Sequence, residues 1–89
     1  MFLDAATAAD VEALVELERR SFTHPWTEAN FREAVADPSR VTALVLREAR
    51  DAFAAERSVV VAYCIYQVVA DEMHILDLAV EPDHRRRGL

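Results

Sequence analysis

The chain has 89 residues, enough for at most one small domain, and a core of that size leaves a narrow margin of stability. Apolar residues make up 53% of it and charged residues 29%, a balance that can build a core and does not suit a disordered chain. The formal net charge of -6 argues against a general nucleic-acid face, which needs a broad basic surface; the clustered Arg85, Arg86 and Arg87 suit a local anion site instead.

No apolar run approaches the roughly 18 residues of a membrane span, and Met1-Phe-Leu-Asp has no basic residue ahead of an apolar segment, so a cytoplasmic location is expected. Cys64 is the only cysteine, which rules out an intrachain disulfide and suits a reducing compartment.

Phe2 and Leu3 can start a short strand, and Thr7-Ala-Ala-Asp10 reads as a capping box with aspartate in the usual glutamate position. Val11, Leu14, Val15 and Phe22 then recur at helical spacing, with Glu12, Glu16 and Arg19 among the polar positions, which predicts an amphipathic helix over residues 8 to 21. His24-Pro25-Trp26 breaks it, because proline disfavours a helical conformation at the residue before it. Thr27 can cap a second helix over residues 28 to 36, carrying Phe31 and Val35 and closed by Asp37-Pro38. Trp26 either staples that helix by packing from the position before its cap or borders a substrate groove.

Residues 41 to 46 are apolar and partly β-branched and read as a strand. Residues 48 to 57, alanine-rich and charged, form either a short helix or an ordered loop. Residues 59 to 69 are the longest apolar run, with Tyr63 and Tyr66 on opposite faces, and a strand apolar on both faces belongs in the middle of a sheet. Ala70-Asp71-Glu72 suits a hairpin turn, with Asp71 and Glu72 as solvated turn residues, and residues 73 to 80 are the return strand. The order β-α-α-β-β-β with mainly antiparallel pairing is an α/β fold of the α+β type, without the alternation of a doubly wound sheet.

Four features bear on chemistry. Three consecutive arginines are ordinarily a solvated charge run, but here an apolar strand precedes them and the only glycine follows, an arrangement that delivers charge and backbone amides to a phosphate. Asp77 interrupts an apolar strand, so it should have a partner, lie at an edge or face a cleft. Cys64, amid Ala62, Tyr66 and Val68, reads as a core residue. His24, His74 and His84 with Cys64 fit no recognised zinc spacing, so no metal is expected.

Arg85-Arg-Arg-Gly-Leu89 resembles the acetyl-coenzyme A motif of the GNAT acetyltransferases, Gln or Arg, any two residues, Gly, any residue, then Gly or Ala, and supplies five of its six positions. Leu78-Ala-Val-Glu-Pro82 directly before it strengthens the resemblance. His24-Pro-Trp-Thr-Glu28 and Gln67-Val-Val-Ala-Asp-Glu72 look like the ribosomal-protein-alanine branch, which acetylates a protein's N-terminal amine. The resemblance covers essentially the whole chain, but only about the first half of such an enzyme. It implies residues 1 to 89 as the N-terminal part of one incomplete acetyltransferase domain.

By that resemblance the co-substrate is acetyl-coenzyme A. The backbone of Leu78, Ala79 and Val80 would pair with the pantetheine arm, and Arg86, Arg87, Gly88 and Leu89 would meet the pyrophosphate, with Arg85 at the motif's first position. The segment 24 to 28 would border the acceptor-peptide groove. The principal base and acid would lie beyond residue 89, although some family members use an acid on this last strand as general base, for which Asp77 or Glu72 would be the candidate. A relative acting on a small-molecule amine would share fold and co-substrate. A third reading is a non-enzymatic fragment that binds coenzyme A or a partner through its open sheet edge, and an uncovered edge and apolar face would favour self-association.

Overall fold

The computed structural model describes residues 1–48 and 59–82. In chain order these form β1 (Phe2–Ala5), α1 (Val11–Ser21, begun by a single 3-10 turn at Ala8–Asp10), α2 (Glu28–Ala36), β2 (Thr42–Glu48), β3 (Val59–Val69) and β4 (Glu72–Val80). The strands lie in the order β1-β2-β3-β4, each antiparallel to its neighbour. This is the expected α+β arrangement. Glu48, expected in the connection, ends β2, while the rest of that segment lies outside the described residues.

Capping chemistry sets where both helices begin. The Thr7 N–H donates to Asp10 Oδ2 at 2.8 Å, closing the box that the sequence predicts. Arg47 of β2 forks onto the two Asp10 carboxylate oxygens at 2.7 and 2.8 Å and also reaches Asp4 of β1 at 3.1 Å. The start of the first helix is thereby fixed to the first two strands. At α2, Asn30 N–H donates to Thr27 Oγ1 at 3.2 Å while Thr27 N–H donates to Asn30 Oδ1 at 3.0 Å. Trp26, one residue before that cap, packs on Phe31 with ring centroids 5.3 Å apart, the staple geometry. Asp37 leaves the helical region at φ -131°, ψ 80°, as a residue preceding proline should.

Both helices pack on one face of the sheet. Val11, Leu14 and Leu17 of α1 and Phe31 and Ala34 of α2 form one core with Val45, Tyr63, Ile65 and Ala79. Phe22, read with the α1 stripe, adopts extended backbone just past the helix and is largely exposed. Glu18 takes the stripe's next buried place instead.

β3 is an interior strand, flanked by β2 and β4. Its Tyr63 is buried among the helices while Tyr66 is only half-buried. The β3–β4 register slips between Ile65, opposite Asp77, and Tyr66, opposite Ile75, so Leu76 is the extra residue of a β-bulge. Without the bulge, strict alternation would place Met73, Ile75, Asp77 and Ala79 on one face. With it, Asp77 and Ala79 are buried on the core side while Met73, Ile75 and Leu78 are exposed. The other face carries a shallow apolar groove lined in part by Leu3, Leu44, Leu46, Cys64 and Leu78, with no helix across it among the described residues. Cys64 therefore departs from the core role expected of it, being half-buried on the uncovered side.

Candidate functional site

The end of β4 is where the resemblance implies a co-substrate. β4 pairs with β3 on one side, and its outer side borders no strand among the described residues. Ala79 points into the core and Leu78 lies exposed on the open face. Glu81 continues the strand: its N–H donates to the Val61 carbonyl at 2.7 Å, and its carboxylate receives a two-pronged Arg20 guanidinium at 2.9 Å on each oxygen. That paired geometry fastens the last turn of α1 to the end of β4. Arg85, Arg86, Arg87, Gly88 and Leu89 lie outside the described residues.

Immediately before this stretch, Asp77 finds the partner that its apolar strand demands. Its carboxyl lies beneath α1, hydrogen-bonded to Glu18 and 3.4 Å from the Tyr63 hydroxyl, and the residue is 9% exposed. Glu18 is 2% exposed. The Tyr63 hydroxyl donates a short hydrogen bond to Glu18 Oε1, and the Trp26 backbone N–H donates to Oε2 at 2.8 Å. Two carboxyls in one dry site cannot both ionise cheaply, and their surroundings divide the roles. Burial opposes the Glu18 charge, but hydrogen bonds from Asp77, Tyr63 and Trp26 outweigh it and hold that carboxyl below its ordinary pKa. Burial, the hydrogen bond to Glu18 and the Glu18 charge push Asp77 up to about 7. The same burial and neighbouring carboxylates push the Tyr63 phenol far up, keeping it a donor.

Sequence reasoning singled out Asp77 but not Glu18. The signal was present: positions 11, 14 and 18 share one helical face, so an acid at 18 falls on the stripe that must be buried. Glu72, the other acid considered on this strand, is exposed, with its carboxylate 3.5 Å from His74 Nε2. Six residues of strand, about 20 Å at 3.3 Å each, separate it from Leu78. Among the described residues no group of three or more His, Cys, Asp or Glu side chains is placed to hold a metal ion. No helix among them is long and apolar enough to cross a membrane.

The model of the acetyltransferase (GNAT) family matches residues 11–89. The chain belongs to that family. This GNAT chain is 29% identical over 87 residues to the [ribosomal protein bS18]-alanine N-acetyltransferase of Escherichia coli (strain K12), covering 98% of this chain and 52% of that protein. It is 31% identical over 83 residues to the protein of that name from Salmonella typhimurium, covering 93% and 49%. The crystal structure of the ribosomal-protein-S18-alanine N-acetyltransferase from Escherichia coli superposes with a TM-score of 0.75 at 26% identity, covering 98% of this chain and 50% of that one. An aminoglycoside 6'-N-acetyltransferase from Acinetobacter haemolyticus, at 16% identity and a TM-score of 0.72, shares the fold. The chain thus spans about half the length of the curated relatives it matches.

Proposed function

We propose that residues 1–89 are the N-terminal part of one acetyltransferase domain. The complete enzyme moves an acetyl group from acetyl-coenzyme A to the N-terminal α-amine of a protein, with the alanine of ribosomal protein bS18 as the favoured acceptor. The observation that carries this reading is the likeness to proteins named for that reaction, which extends over 93% to 98% of this chain.

What the chain itself contributes is binding and orientation. The donor is a peptide-like arm ending in a thioester, and β4 is a sheet edge bordered by apolar side chains. An extended molecule with amides can add to such an edge as a strand, with Leu78, Ala79 and Val80 as its partners. The Arg20–Glu81 pair fixes the end of that strand against α1 and neutralises an acid that would otherwise repel a phosphorylated ligand. Arg85, Arg86, Arg87, Gly88 and Leu89 then offer charge and amides to the pyrophosphate. The attacking amine must be neutral; it forms the new C–N bond as the C–S bond breaks, a base takes the proton that the amine loses, and an acid protonates the departing thiolate to the free thiol. In this reading the principal base and acid follow residue 89.

The test is thiol release from acetyl-coenzyme A, comparing the 89-residue chain with a version extended through the full domain. Each is offered an alanine-initiated bS18 peptide and, separately, an aminoglycoside. The extended protein should turn over the peptide and the short chain should stay at background. A preference for the aminoglycoside would overturn the acceptor assignment. Equal peptide turnover by both proteins would place the base within this chain and make Asp77 and Glu72 the first residues to replace.

A further inference from the structure

The segment between α1 and α2, residues 22–27, is held to the body of the protein in a specific way. The Trp26 indole packs on Phe31, and its backbone N–H donates to Glu18, whose other oxygen accepts from Tyr63 of β3 and whose carboxylate also meets Asp77 of β4. One buried carboxylate is therefore the node that joins α1, β3, β4 and the segment. We propose that Glu18 and Asp77 hold a single proton between them, and that this proton fastens the Trp26 segment to the sheet, releasing it when the proton is lost.

The donors and acceptors balance only with that proton in place. An ionised Glu18 is acceptor-only and takes three bonds, from the Tyr63 hydroxyl, the Trp26 N–H and a neutral Asp77. Remove the Asp77 proton and two anions face each other in a buried site, with no arginine or histidine among the described residues paired to either. The neighbouring groups do not relieve this. Arg20 of α1 is committed to Glu81, and Arg19 faces Glu16. On α2, Glu28 and Arg32 pair at the surface, and Glu33 faces Arg40 beyond the helix. On β4, His74 meets Glu72 far along the strand. Cys64 of β3 is neutral, its thiol pushed up by burial and by the Asp77 charge. His24 lies on the segment itself, outside the hydrogen-bonded cluster.

The sign follows from linkage. An aspartate raised from about 3.9 in the unfolded chain to about 7 in the folded one binds more protons folded than unfolded. Its contribution to stability is thus complete in acid, erodes as pH climbs from about 4, and is gone above about 7. The element that gives way is the irregular segment, which has no ladder of its own, and not the four paired strands.

Trp26 is the only tryptophan, so its fluorescence reports the segment directly, with neither acetyl-coenzyme A nor an amine present. Emission of the 89-residue chain followed from pH 5 to 9 should show one step centred near pH 7. Asp77→Asn, whose amide donates at every pH, should keep the low-pH spectrum and abolish the step. Because histidine is the usual source of a transition near neutral pH, His24→Gln should leave the step in place. A flat titration in a chain that far-UV circular dichroism shows to be folded would overturn the proposal. So would a step that survives Asp77→Asn or vanishes in His24→Gln. If Asp77→Asn does not fold, Glu18→Gln decides: its amide stabilises the ionised Asp77 and should move the midpoint down by more than one pH unit, and an unmoved midpoint would overturn the proposal.

Discussion

Phe31 carries much of the attachment of α2 to the rest of the protein, and truncating it to alanine should show how much. Its ring is fully buried, with Trp26 at 5.3 Å on one side and Tyr63 at 5.6 Å, edge-on at 89°, on another. Each aromatic pair contributes about 0.5–1.5 kcal/mol beyond its buried area. With the lost transfer energy and the cavity left behind, Phe31→Ala should cost about 3–5 kcal/mol. An ordinary domain of 89 residues has roughly 4–13 kcal/mol in all, at about 0.05–0.15 kcal/mol per residue, so the variant should sit at the edge of folding. Urea unfolding followed by far-UV circular dichroism reads this directly: at a slope of about 1 kcal/mol per molar, the midpoint should fall by about 3 M or more. Phe31→Leu keeps most of the apolar volume but loses both ring contacts, and should cost about 1–2 kcal/mol. A loss below about 1.5 kcal/mol for the alanine variant, or equal losses for the two, would refute the idea that this ring is the keystone between α2 and the sheet.

Three further outcomes are expected. Thr27→Ala removes the acceptor for the Asn30 N–H and should cost about 1 kcal/mol, read as a fall in melting temperature of roughly 4–8 °C. The β3–β4 turn places Ala70 at φ 50° and Asp71 at φ 66°, a region that suits Asn-Gly far better. Ala70→Asn with Asp71→Gly should therefore raise stability by about 0.5–1 kcal/mol in a thermal melt. Arg47→Met strands the Asp10 carboxylate and should cost about 3–5 kcal/mol at pH 7. Burial opposes the Asp10 charge, but the bonds from Arg47 and Thr7 prevail and hold its pKa below the ordinary 3.8. The pair therefore stabilises the wild-type fold above about pH 4 and is lost as pH falls below that. Urea midpoints between pH 7 and 2.5 should show this acid limb in the wild-type chain and a shallower one in Arg47→Met.

Where local chemistry decides structure, the sequence was readable. Thr7, Thr27 and the two proline breaks place the helix ends, and the two-sided apolar run of β3 predicts its interior position. Faces were harder to read, because the bulge at Leu76 changes the alternation partway along β4, and no residue type there announces it. Cys64 was misread for a related reason: β3 is apolar on both sides, but α1 and α2 cover only one. Glu18 lies on the buried stripe of α1, but the partner that makes a buried acid there tolerable, Asp77, is fifty-nine positions away. Each acid looks like an error alone and becomes reasonable only when the fold supplies the other. For the co-substrate, the strand before the three arginines and the glycine after them already suggest an anion site, and the family motif adds the expectation that its ligand is acetyl-coenzyme A.

β1 is exposed at all four of its residues, and its ladder with β2 joins Phe2 to Arg47, about 45 positions later. Closing a loop of that length costs roughly 1 kcal/mol more than closing the ten-residue connection between β2 and β3, and far more than a two-residue turn. β1 should then be the last strand to dock and the first to leave, its amides exchanging with solvent well ahead of those in β3. The delay is also one of synthesis. At about 5–20 residues per second, roughly 2–9 s pass between the making of Phe2 and of Arg47. For that interval Phe2 and Leu3 wait for β2, the strand with which they pair.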